Sequence, residues 1–250
     1  MKGIWIYILL GFFAELIDGT MGMAYGVSSN TFLRSVGIQP AVSSACTHIS
    51  EIFTTFTSGI SNLRLKNVNK NLMMKLLVPG IIGGVAGAWF LVSFQSKFLD
   101  MVIDVYLIIM GCVIFSKVFK KNKPARDLGH FIYGLGFVGG FTDAMGGGGW
   151  GPVVTSTLIA SDHEPGRTIG TVNTAEFFVT IAETTTFVAM MGDFRAYYTI
   201  ILGLIIGGVV AAPIGAILCK KIPVKAMLAI VGILVIVLNL YKLMQHSGLM

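Results

Sequence analysis

Asp143-Ala-Met-Gly146-Gly147-Gly148-Gly149-Trp150-Gly151-Pro152 interrupts an apolar region that otherwise reads as membrane. Four consecutive glycines do not propagate a helix, because each costs about 1 kcal/mol relative to alanine. Pro152 is well suited to the first turn of a new helix. The stretch therefore predicts a helix that breaks at membrane depth and restarts there. Irregular backbone at that depth is tolerated only where it is buried in protein or lines a cavity. A tight helix crossing is the plainer alternative, but it needs fewer glycines than this run contains.

The surroundings fix the class. The 250 residues are 54% hydrophobic and 12% charged, with mean hydropathy +0.80. A soluble domain carries about 25% charged residues. Apolar runs of about 18 residues or more recur along the chain, as in a multi-pass protein of the cell membrane. The net charge of +6 does not point to nucleic acid, since the basic residues cluster between apolar segments, where the positive-inside rule accounts for them. Cys46, Cys112 and Cys219 lie in separate apolar segments without CxxC spacing and read as unpaired small residues. Residues 3–13 follow Lys2 as a signal peptide would. Glu15 and Asp18 come directly after, with no small-residue cleavage site, so the segment is expected to stay in the protein.

The chain is a duplication. At an offset of 125, Gly11-Phe12 matches Gly136-Phe137, Asp18 matches Asp143, and Gly22 and Gly26 match Gly147 and Gly151. Leu33 matches Leu158, and Pro40 matches Pro165. Glu51, Phe53 and Thr55 match Glu176, Phe178 and Thr180. At an offset of 124, Ile81-Ile82-Gly83-Gly84-Val85 repeats as Ile205-Ile206-Gly207-Gly208-Val209. Transporters built from two such halves carry their site at the repeat interface, near discontinuous helices in corresponding positions. The boundary falls in the basic linker holding Lys117, Lys120, Lys121, Lys123, Pro124 and Arg126, giving repeats 1–122 and 123–250.

The expected fold is all-α and polytopic. The first half has a broken region, 3–36, followed by segments 38–63, 72–94 and 98–119. The second has a broken region, 129–161, followed by 165–191, 195–219 and 224–245. A helix over 129–161 would be about 50 Å long, against a hydrocarbon core of about 30 Å. Each broken element thus either crosses once with overhang or dips in and returns as a re-entrant hairpin. Hairpins make the two halves inverted repeats with three full crossings each, and full crossings make them parallel. Hairpins put 13 of 18 basic residues on one side and full crossings put 12 there, so charge barely separates them. The inverted arrangement is preferred because it also places Lys220, Lys221 and Lys225 in the cytoplasm.

Ionisable groups inside membrane segments are functional candidates: Glu15, Asp18, His48, Glu51, Asp104, Asp143, Glu176 and Glu183. Two pairs respect the duplication, Asp18 with Asp143 and Glu51 with Glu176. A low-dielectric setting favours the neutral form of a carboxyl, so such groups suit proton coupling. The Asp pair equally suits capping of the backbone at the breaks. The Glu pair has no nearby turn to cap and is the better proton carrier. His48 lies three residues before Glu51 on one helical face, and Asn173 stands at its position in the second half. Thr47 and neighbouring Ser and Thr hydroxyls extend that face. A substrate path is therefore expected along Gly22, Thr47, His48, Gly147, Gly148, Gly149, Trp150 and Asn173. The helix start at Pro152 offers amide donors to an anion, whereas the nearby carboxylates favour a cation. Met21, Met23 and Met145 read as core filling, with no metal site and no cofactor expected. No nucleophile-and-base set appears, so an enzyme is not expected.

The glycine cluster with Gly151-Pro152, the paired Pro40 and Pro165, the loop Leu65-Lys66-Asn67-Val68 and the paired Gly83-Gly84 and Gly207-Gly208 together resemble the sulfite exporter TauE/SafE family of membrane permeases. That resemblance implies two repeats with about eight membrane segments, in keeping with span length, and transport of small sulfur-containing anions such as sulfite, sulfonates or thiosulfate. The first break departs from the pattern: it reads Gly19-Thr-Met-Gly22-Met-Ala-Tyr-Gly26, with Val27 in place of the proline. An asymmetric site is expected in consequence, the second break approaching substrate and the first completing the wall. The reading is a secondary transporter of small sulfur anions coupled to protons, in a lipid bilayer, with a homo-oligomer compatible. A cation or metal permease and a non-transporting assembly partner are the alternatives.

Overall fold

The computed structural model describes residues 3–64, 66–116, 119, 128–161, 165–218 and 224–246. The boundary at 122/123, most of the basic linker, Leu65, Cys219, Lys220 and Lys221 lie outside the described residues. Among these there is helix and no strand. The first half is α1 (Ile4–Met21), α2 (Tyr25–Ser35), α3 (Pro40–Arg64), α4 (Lys70–Ser93) and α5 (Lys97–Ser116). The second is α6 (Phe131–Gly146), a π-helical turn (Trp150–Thr155) continuing into α7 (Ser156–Ala160), then α8 (Pro165–Met191), α9 (Tyr198–Leu218) and α10 (Val224–His246). The expected segments and both breaks are present. The second restart differs in detail: the helix resumes at Trp150, ahead of Pro152, as a π-turn.

Four stretches, Lys70–Ser93, Lys97–Ser116, Arg195–Ile214 and Leu228–Gln245, are long and apolar enough to cross a membrane. Their outward faces carry exposed apolar side chains such as Ile82, Trp89, Ile109, Val210 and Ile230, as a lipid-facing surface requires. By contrast, α3 and α8 bury Ser43, Ser44, Thr47, His48, Glu51, Thr171, Asn173, Glu176 and Glu183. These polar helices form the centre, and the apolar ones surround it.

Helix pairing is reciprocal between the halves. The first helix of each half packs against the third long helix of the other, α1 on α9 and α6 on α4. Both seams are built on glycine. A Cβ at Gly83 or Gly140 would fall on backbone of the facing helix, at Phe137 and Gly80, and Gly207 stands in the same relation to Ile8. Without a hydrophobic drive between helices in lipid, such close backbone approach is what van der Waals packing can exploit. The remaining long helices meet their own counterparts, α3 with α8 and α5 with α10.

The sense of each contact is readable from its partners. On α3 and α8, His48 meets Glu183, Phe56 meets Phe177, and Asn62 meets Gly170. One numbering rises as the other falls, so α3 and α8 run antiparallel. On α3 and α9, Ser50 meets Ile201 and Thr54 meets Gly208, so these run parallel. On α1 and α9, Ile4 and Tyr7 meet Gly203 while Ile8 and Phe12 meet Gly207, again parallel.

Candidate functional site

Each break is closed by its own aspartate. Gly22 ends α1 in the left-handed conformation, φ 64°, with its N–H donating to Asp18 O. Gly147 ends α6 likewise, φ 65°, with its N–H donating to Asp143 O. The carboxylates then reach across the gap to the restarting helix. Asp18 Oδ1 accepts from the amides of Ala24 at 2.7 Å and Tyr25 at 3.2 Å. Asp143 Oδ1 accepts from those of Gly149 at 2.6 Å and Trp150 at 3.0 Å. Ala24 and Tyr25 stand 125 positions before Gly149 and Trp150. The two breaks are therefore the same motif, although only one carries a glycine run. They differ in the restart itself, a π-helical turn after the second break and an α-helix after the first.

The extra glycines serve the contact between the breaks. A Cβ on Gly148 would fall on the Val27 amide nitrogen, one on Gly151 on Met23, and one on Gly26 on Gly147 and Gly148. Asn30 packs beneath Gly147 and donates from Nδ2 to Gly146 O. Ser44 Oγ donates to Ala144 O at 2.5 Å. Helix-end carbonyls that would otherwise lack partners thus find them in side chains of the first half. Trp150 is fully buried and its Nε1 donates to Val172 O at 3.1 Å.

The ionisable groups converge here. His48 Nδ1 donates to Ser44 O at 2.7 Å, which fixes the ring and turns Nε2 toward Glu183 Oε2 at 2.9 Å and Asp143 Oδ2 at 3.7 Å. His48, Glu51 and Asp143 each present one ligating atom within 4.8 Å of the others. Glu51 lies in the fields of Asp143, His48, Asp18 and Glu183, and Glu176 in those of Glu51, Asp18, Asp143 and Glu15. Glu51 Oε2, Thr47 Oγ1, Asp143 Oδ2 and Asn173 Oδ1 make no hydrogen bond among the described residues. His48, Glu51, Asp143 and Glu183 therefore share one buried centre, whereas Trp150 packs in the apolar cluster with Val154, Val172 and Val179.

The duplication extends to the centre. His48 with Glu183 is matched by Asn173, whose Nδ2 donates to Ser58 Oγ at 3.3 Å; Ser58 stands 125 positions before Glu183. The positions correspond but the chemistry does not, since the acid and the imidazole occur on one side only. Glu183 was singled out in the sequence only as one of the intramembrane ionisable groups. Tyr25, Asn30 and Arg34 escaped the sequence reading. The first two could have been found by extending the 125-residue comparison to Trp150 and Thr155.

An all-helical membrane protein with duplicated broken helices around buried carboxyls has a build that membrane transporters use. The comparisons narrow this. The model of the family described as sulfite exporter TauE/SafE matches residues 7–241. A similar curated relative is the "Probable membrane transporter protein YtnM" of Bacillus subtilis (strain 168), 36% identical over 98% of this chain and 84% of the relative. The chain belongs to the sulfite exporter TauE/SafE family, and family and relative both point to a multi-pass membrane transporter.

Proposed function

We propose that the protein carries small sulfur-containing anions, of the sulfite, sulfonate or thiosulfate type, across the cell membrane together with protons. The observation that carries the coupling is His48 Nε2 set between Glu183 and Asp143 with Glu51 alongside. A buried cluster of carboxyls repels an anion unless protons accompany it. Glu51 and Glu176 carry the protons. Thr47, His48 and Asn173 line the path, and Gly22, Gly147, Gly148, Gly149 and Trp150 wall it. Asp18 and Asp143 hold the half-helices and set the field on the proton carriers. In proteoliposomes, Glu51→Gln and Glu176→Gln together should bring pH-driven sulfite or thiosulfate flux down to that of protein-free vesicles. Undiminished pH-driven flux in the double variant would refute the coupling role.

A second reading, a cation permease, is favoured by the His48, Glu51 and Asp143 atoms lying within 4.8 Å. Competition separates the two: sulfite and thiosulfate should compete for flux, and divalent metals should not.

The antiparallel run of α3 on α8 supports inverted repeats with re-entrant first elements. In that arrangement α1 and α2 form one hairpin, and α6 with α7 forms the other. Cysteines introduced at Gly37 and Ser161, in a background without native cysteines, should be labelled from opposite sides of the membrane. Labelling from the same side would support parallel halves instead.

A further inference from the structure

We infer that Arg34 and Lys242 form a separate subsite for a small oxyanion at the far end of α2. The inference rests on the anion reading above and supplies what that reading lacks. At the centre, two amides at each helix restart are taken by Asp18 and Asp143, and carboxyls dominate. An anion has little there to meet its charge before protons arrive.

Among the described residues, Arg34 is the only Lys or Arg that is buried, 3% exposed. Its Nη2 pairs with Asp104 Oδ1 at 2.7 Å and donates to Asp100 O at 3.2 Å. Its Nη1 is buried and has no hydrogen-bond partner among the described residues. A guanidinium offers five donors in a fixed fork that matches oxyanions, and buried donors are rarely left without acceptors. Arg34 lines a cavity of about 160 Å³ together with Gln39, Asp100 and Lys242. A neighbouring cavity of about 230 Å³ shares Gln39 and Asp100 and adds Lys97. Arg34, Lys97 and Lys242 stand against the carboxylates of Asp100 and Asp104, which leaves one positive charge unbalanced. Gly37 and Gln39 are exposed at the mouth.

The subsite is joined to the breaks. Asn30, which holds Gly146, lies one turn before Arg34 on the same face. Asn239 Nδ2 donates to Thr31 Oγ1 at 3.0 Å, tying α10, the carrier of Lys242, to α2. The subsite also has no twin, because the position matching Arg34 in the second half is Ile159. Only one end of the molecule therefore captures anions this way. With inverted repeats and the basic loops inside, that end faces away from the cytoplasm.

The test uses the purified full-length protein with sulfite, thiosulfate, sulfate and phosphate as probes. The expected result is a rise in apparent Tm with at least one probe. Lys242→Met should raise Kd, and KM for flux, about tenfold, as expected for losing one charge-assisted contact, while Lys242→Arg retains binding. Arg34→Met with Asp104→Leu, which removes the pair together, should abolish the shift. If that double variant does not fold, Lys242→Met decides alone. Kd and KM of Lys242→Met equal to wild type would overturn the subsite, as would a wild-type protein stabilised by none of the anions. Sulfite flux insensitive to Lys242→Met would leave the cargo standing and sink the subsite. Phosphate binding lost in Lys242→Met, with no flux of any sulfur anion, would do the reverse.

Discussion

Asp143→Ala should cost most of the folded protein, and Asp143→Asn should not. Asp143 Oδ1 accepts two buried amides, from Gly149 and Trp150. Alanine leaves both without an acceptor, and each such orphan costs about 1–3 kcal/mol, so the loss is roughly 2–6 kcal/mol. Asparagine keeps an acceptor in the Oδ1 position and restores the cap. What it removes is the charge facing His48 Nε2 at 3.7 Å. Thermal unfolding in detergent should therefore show Asn near wild type and Ala far below it. The pH response of transport in the Asn variant should be altered. If Asn were as destabilising as Ala, the cap would not be the structural role of this residue. The same pair of substitutions at Asp18 should behave alike, since its carboxylate makes the twin contacts to Ala24 and Tyr25.

Gly148→Ala should be among the most damaging single methyls at the described glycines. The added carbon would land on the Val27 amide nitrogen, with Gly26 and Val27 backbone on the same side. No rotamer change relieves a clash with backbone, so the breaks must separate. The expected loss is about 3 kcal/mol, the upper end of what overpacking usually costs. Gly134→Ala is the control: nothing lies within 4 Å of its added carbon, and a helical Gly→Ala there should be neutral or stabilising by up to about 1 kcal/mol. Expression yield and Tm of the two variants check the contrast. Equal behaviour would mean that the glycine run is not there for contact between the breaks.

The legible and illegible parts divide along a physical line. Helix positions, both breaks and the pairs Asp18 with Asp143 and Glu51 with Glu176 were visible, because span length and internal repetition are properties of the chain itself. The likeness of the two breaks was visible in part, in the matched Asp18 with Asp143, Gly22 with Gly147 and Gly26 with Gly151; the carboxylate-to-amide bonds that complete it come from the fold. Ala24 and Gly149 share only their amides, and Tyr25 and Trp150 are alike only as buried aromatics whose polar tips donate to a backbone carbonyl. The purpose of the glycine run was half visible: close approach was expected of it, but the body approached is the other break. Arg34 could not be picked out, since an arginine near a helix end reads as an interfacial cation. Only the fold brings Asp104 to it from another helix.

The reciprocal seams, α1 on α9 and α6 on α4, have a consequence for biosynthesis. Gly11 of α1 packs against the Leu204 backbone of α9, far along the chain, so α1 leaves the ribosome long before its partner exists. Until α9 arrives, its glycine face has only lipid or a chaperone to rest against. Contacts this distant in sequence form late, and chains waiting for them are exposed to misassembly. Neither half expressed alone has the surface that completes it, whereas two half-chains made together have every seam available.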